Sequence, residues 1–169
     1  MTRINEPPEE PVRYVDATLR LPYHYVAGDW RARYLRALKD KKIIGSRCSK
    51  TGKVFVAPTI CSPESFAPCE EFVEVPDRGV ITTFCIVRIP VIGRDVELPY
   101  VAASVALDGA DISIYALIQE CRPEDVRMGM RVEAVWKRDG ERQGSHEDIL
   151  HFRPTGEPDL PLASFINRL

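Results

Sequence analysis

The chain lacks the features that would announce an enzyme or a membrane protein. Its longest apolar runs, such as 100–107, fall well short of the roughly 20 residues that cross a bilayer. No apolar segment follows the start methionine, so no secretory signal is expected. There are only three histidines, His24, His146 and His151, and none stands in a local catalytic motif. A Gly-x-Ser-x-Gly elbow, a His-Glu-x-x-His helix and a phosphate-binding glycine loop are all missing. So is any excess of basic charge. The net charge is -2 and the pI about 6.0, which weighs against a surface that tracks a nucleic-acid backbone. The five cysteines are an odd number, and with no secretory signal they suit reduced thiols in a cytoplasm.

What is present is an ordinary folded composition. Of 169 residues, 44% are hydrophobic and 28% charged, enough to bury a core without staples. Residues 1–12 are rich in proline and glutamate and read as a disordered tail. Residues 15–26, VDATLRLPYHYV, are apolar and aromatic without clean periodicity. They read as an extended arm that needs a cover, either its own domain or a partner protein.

Residues 29–42, DWRARYLRALKDKK, give the clearest helix. Asp29 is placed to cap its first turn, and Trp30, Tyr34, Leu35 and Leu38 fall on one stripe. Arg31, Arg33, Arg36 and Lys39 fall elsewhere, either as a solvated face or as a patch for phosphate.

The stretch the chain is organised around is 45–72, GSRCSKTGKVFVAPTICSPESFAPCEEF. It has the form of a metal ribbon with ligands missing. A zinc knuckle wants Cys-x-x-Cys-Gly, two thiolates gripping the ion above a tight turn. Cys48 is followed by Thr51 and Gly52, so a hydroxyl stands where the second thiolate belongs. Cys61 would open the second knuckle, with Glu64 in its partner's place and Cys69 reaching back. Three thiolates and a poor fourth ligand predict a zinc-free ribbon, held by Val54, Val56, Ile60 and Phe66 packing together.

The second half is strand-rich. Strands are expected over 79–90, 100–107, 112–119, 130–138 and 149–153. A loop over 91–98, a tight turn over 108–111 and a short helical turn after Pro123 separate them. That number suits a five-stranded Greek-key barrel, with a small sandwich as the competing arrangement. Cys85 and Cys121 read as small buried hydrophobes. Asp108 and Asp111 read as turn residues rather than paired catalytic carboxylates. His146 and His151 are a conceivable metal pair, though one loop histidine and one strand histidine is the plainer reading. Phe84, Tyr115, Trp136 and Phe152 lie in apolar alternation and read as core or a dry interface. Arg31, Arg88 and Arg94 are the candidates for the phosphates of a nucleotide-like ligand. The apolar ends, 15–26 and 160–169, are surfaces a partner would cover.

In order, the helix, the degenerate knuckle with KVFVAP, PDRGVITTF, LPYVAASVALDGADI, CRPEDVRMGMRVEAVW and HFRPTGEPD resemble the thiolase-associated zinc-ribbon/OB-fold family. The resemblance spans about 30–158. It implies a mainly β chain with an N-terminal helix, a rubredoxin-like degenerate ribbon and a C-terminal five-stranded OB barrel. The expected divisions are 1–28 tail and arm, 29–44 helix, 45–75 ribbon, 76–158 barrel and 159–169 tail. It also implies a non-catalytic cytoplasmic subunit that partners a thiolase-superfamily enzyme, a thiolase or a steroid side-chain aldolase. The implied assembly is a heterotetramer sharing a CoA thioester, with no catalytic residue of its own; this sequence departs from the family at Thr51 and Glu64, which stand in place of expected zinc ligands, so no bound metal is expected. The competing reading is a module for single-stranded nucleic acid.

Overall fold

The computed structural model describes residues 19, 21–90 and 96–168. The expected tail over 1–12, the tip of the 91–98 loop and Arg94 lie outside them. Residues 21–27 have no regular structure and lead into helix α1, Gly28–Lys39. The apolar stripe sets how the helix lies. Tyr34 and Leu38 are buried, while Arg31, Arg33, Arg36 and Lys39 are exposed. Both expected ends move. Ala27 holds the N-cap position without a side-chain cap, and Asp29 sits inside the first turn, where its carboxylate suits the dipole. The helix stops at Lys39 because Lys41 turns left-handed at φ 58. Lys41 and Lys42 then donate back to Leu38 and Ala37, closing a Schellman motif.

Three antiparallel strands follow: β1 Ile43–Arg47, β2 Val54–Phe55 and β3 Glu71–Val75, in the order β2-β1-β3. A Cβ on Gly45 would lie 2.7 Å from Val54 Cγ1 and 2.9 Å from the Phe55 carbonyl, so β1 and β2 approach here only over glycine. The packing differs from the expected set. Val54 and Val56 are buried in the main core, but Ile60 and Phe66 are 66% and 82% exposed. Phe66 occupies a left-handed turn position at φ 56 and points outward. Phe55 takes its place, packed on the buried Cys48 and Cys69.

The remaining strands close a barrel: β4 Arg78–Val87, β5 Tyr100–Leu107, β6 Ile114–Ile118, β7 Arg131–Trp136 and β8 Ile149–Pro154. Their order, β4-β5-β6-β8-β7, with β6 and β8 parallel, is that of an OB fold. Val101, Ala103, Val105 and Leu107 line one buried face of β5, as their alternation predicts. The register of β4 slips between Ile81 and Thr83, leaving Thr82 buried and bonded to the Ser104 carbonyl. Beyond that bulge Cys85 faces out, so the buried role expected of it is corrected; Cys121 is half-buried.

Helix, ribbon and barrel share one core that runs from Tyr34 and Leu38 through Val54 to Val105 and Phe152. Asp111 joins ribbon to barrel. Its amide donates to the Val54 carbonyl at 2.9 Å, and its carboxylate accepts from the Val54 amide at 2.8 Å. Trp30 Nε1 donates to the Cys69 carbonyl, pinning the helix on the ribbon. Asp108 forms a two-pronged ion pair with Arg131 at 2.8 and 2.6 Å. Both aspartates thus do more than tolerate a turn. The C-terminal stretch is not wholly free either: Phe165 is buried against Val80 and Ala106, with Leu160 beside it.

Candidate functional site

Strands β6 and β8 pair at one point, Ile118 with Phe152, with a supporting bond from the Gln119 amide to the Phe152 carbonyl. Parallel strands joined at one end part at the other. The ends that part, at Ile114 and Ile149, line a groove of about 890 Å³. Its floor is apolar: Ile114, Ala116, Ile149 and Phe152 from the barrel, with Val56 from the ribbon. Tyr34 of α1 forms one wall. Lys137, His146, Glu147, His151 and Ser113 supply its polar edge, and Tyr115 stands on it 92% exposed.

The loop that presents His146 is tightly built. Ser145 and Asp148 cap each other around the 3-10 turn His146–Asp148. Asp148 is fully buried and accepts the amides of Gln143, Gly144 and Ser145 at 3.0, 2.7 and 3.0 Å. Burial alone pushes that carboxyl up; the donated amides outweigh it and hold Asp148 below the usual range. Gly144 has φ +80, and a Cβ there would lie 3.1 Å from the Leu35 carbonyl, so the loop rests directly on α1. The His146 ring then lies 5.6 Å from the Tyr34 ring. Partial burial lowers the His146 pKa, and the Arg31 charge nearby lowers it further. Burial raises the Tyr34 phenol against a smaller opposing pull from Arg31. His151 meets Glu120 at 2.9 Å, and that bond, ahead of Arg153, keeps the carboxylate below its usual range.

Of the phosphate candidates, Arg31 on α1 lies close enough to Tyr34 and His146 to act on both, though it lines none of the groove itself. Arg88 is exposed just past the end of β4 and lines none of the groove. His146 and His151 share the groove, but each is engaged elsewhere, with Tyr34 and with Glu120. Among the described residues, no group of three or more His, Cys, Asp and Glu side chains is placed to hold an ion. Of the four aromatics, Phe152 is buried, Phe84 and Trp136 are half-buried and only Tyr115 stands free. Trp136 is tied to the Asp77 carboxylate at 2.9 Å. The sequence did carry a signal for the loop at the groove's edge, though not for the groove itself: Ser145 followed at the third place by Asp148, a capping box that fixes the histidine between them.

Comparison with known proteins gives consistent results. Residues 72–137 match the family model described as ChsH2, C-terminal OB-fold domain. A DUF35 domain-containing scaffold protein of Methanocaldococcus jannaschii is 33% identical over 106 residues, 61% of this chain and 74% of the relative. One of Pyrococcus furiosus is 31% identical over 108 residues, covering 63% and 78%. Among solved structures, the Ltp2-ChsH2(DUF35) aldolase superposes with a TM-score of 0.56 at 24% identity, over 73% of this chain and 93% of that one. A DUF35-family protein of unknown function from Sulfolobus solfataricus gives 0.50 at 22% identity, over 61% and 75%.

Proposed function

We propose a docking role on one premise: the chain belongs to the DUF35 family. It is the non-catalytic subunit of a thiolase-superfamily enzyme, a thiolase or a steroid side-chain aldolase, and it helps form the site for a CoA thioester. The observation that carries this reading is the arm. Leu19, Leu21, Tyr23, Tyr25 and Val26 are 81, 70, 81, 67 and 88% exposed, left largely uncovered by the described residues of their own domain. A contiguous apolar segment held in water is the mark of a surface that another chain buries. Relatives named scaffold proteins, and a fold neighbour named as an aldolase of two components, support a role beside an enzyme rather than as one.

The groove gives that role a chemistry. An apolar floor takes the acyl part of a thioester, and Lys137 at its edge, with Arg31 on the neighbouring helix, suits the anionic carrier. Arg88 and Arg94 are further positions for the carrier's phosphates. The reacting cysteine and the acid–base residues then belong to the partner, and the expected assembly is a heterotetramer in lipid metabolism.

The test is co-expression with the thiolase-like chain of the same host. The two should purify together and cleave acyl-CoA only together. A solitary monomer that turns over acyl-CoA by itself would refute the proposal. Filter binding to single-stranded nucleic acid at two salt concentrations should give no steeply salt-dependent complex.

A further inference from the structure

The ribbon places its ligand positions differently from the cysteine spacing. Two tight loops follow the same hydrogen-bond scheme. In the first, Gly52 donates to the Cys48 carbonyl at 2.9 Å, Cys48 donates to Lys53 at 2.8 Å, and Gly52 has φ 73. In the second, Phe66 donates to the Ser62 carbonyl at 2.9 Å, Ser62 donates to Ala67 at 2.9 Å, and Phe66 has φ 56. Superposing the schemes aligns Cys48 with Ser62, Thr51 with Ser65 and Gly52 with Phe66. The side chains agree. The Thr51 amide donates to Cys48 Sγ at 3.4 Å, as the Ser65 amide donates to Ser62 Oγ at 3.3 Å. Cys61 is exposed and Glu64 points away to Lys53 Nζ at 2.7 Å, so the sequence-based register of the second knuckle is one residue out.

We propose that Cys48, Thr51, Ser62 and Ser65 are the ligand positions of a metal ribbon in which hydrogen bonds have replaced the ion, so that this chain carries no zinc. Structural zinc is held by four thiolate or imidazole ligands in a tetrahedron. Here one thiol faces three hydroxyls, and hydroxyls do not compete with water for zinc. The donors are also spent on one another: Cys48 Sγ lies 3.4 Å from Ser65 Oγ, joining the two loops where an ion would. Ser62 is fully buried with its hydroxyl taken by the Glu64 and Ser65 amides. The third buried partner, Cys69, points its thiol at the Ala67 carbonyl. The residues present do not fit the ion.

Without a metal, the ribbon is held by its neighbours. Val54 and Val56 lie in the shared core, Asp111 clasps Val54 from the barrel, and Trp30 clasps Cys69 from the helix. This holds whatever partner the chain meets.

The experiment uses the full chain and cobalt(II), whose thiolate charge-transfer band reports tetrahedral sulfur ligation. The wild type should give no band. Restoring thiolates at the structural positions, Thr51→Cys with Ser62→Cys and Ser65→Cys, should give a full band at one cobalt per chain. Restoring them by sequence spacing, Thr51→Cys with Glu64→Cys, should not. A full band from the wild type or from the Glu64→Cys variant would overturn the proposal, and so would silence from a folded triple variant. If the triple variant does not fold, metal content and amide exchange of the wild type decide. Zinc far below one per chain, with protection over 45–75 unmoved by a chelator, is expected. Stoichiometric zinc whose removal abolishes that protection is the contrary result.

Discussion

Asp148 is the residue on which the groove's loop depends most. It is a buried carboxylate satisfied by three backbone amides, and no other described group is shown accepting from them. Asp148→Ala should destabilise the chain by roughly 2–3 kcal/mol, read from urea denaturation, because buried donors are left unpaired. His146 carries a second residue-scale prediction. Its depressed pKa means the folded chain prefers the neutral ring. Stability from that preference is complete above the ordinary imidazole range and is lost as pH falls through it. NMR titration should place His146 below an ordinary histidine, and Arg31→Gln should move it up. Cys48 offers a third. Hydrogen bonds from Ser65 and Thr51 bring its thiol down to about 6. Ser65→Ala should raise the pH at which thiolate absorbance appears, and an unmoved titration would contradict the contact.

At the scale of elements, the existence and order of the barrel strands were legible because apolar runs alternate with turn residues along the second half of the chain. Strand β5 matches its expected bounds. The helix was legible in its stripe but not in its ends, since a Schellman closure around Lys41 leaves no glycine to mark it. Other features had no local signal. The slip at Thr82 reverses the facing of Cys85, and alternation cannot foresee a bulge. The second knuckle escapes the cysteine spacing because its backbone scheme centres on Ser62, one residue past Cys61. The groove forms where two strands distant in sequence part, which no stretch of sequence records. Gly79 tests the barrel's assembly. A Cβ there would lie 2.5 Å from the Ala106 carbonyl, so Gly79→Ala should destabilise the chain by roughly 2–4 kcal/mol. Phe165→Ala should cost about 3 kcal/mol in the same measurement, since its ring is buried on β4 and β5.

For the whole molecule, the division of surface matters most. The core is continuous from helix to barrel, yet the arm before α1 is left in water. Polar replacements there, Leu21→Ser with Tyr23→Ser and Tyr25→Ser, should leave the melting temperature nearly unchanged, since these residues are largely exposed. The same variant should weaken association with the proposed thiolase-like subunit at least tenfold. The most direct measurement is the mass and acyl-CoA cleavage of the wild-type chain, purified alone and together with that subunit. A stable mixed complex, active only when both chains are present, is the predicted result; a lone chain with full activity, or two chains that never associate, would contradict it.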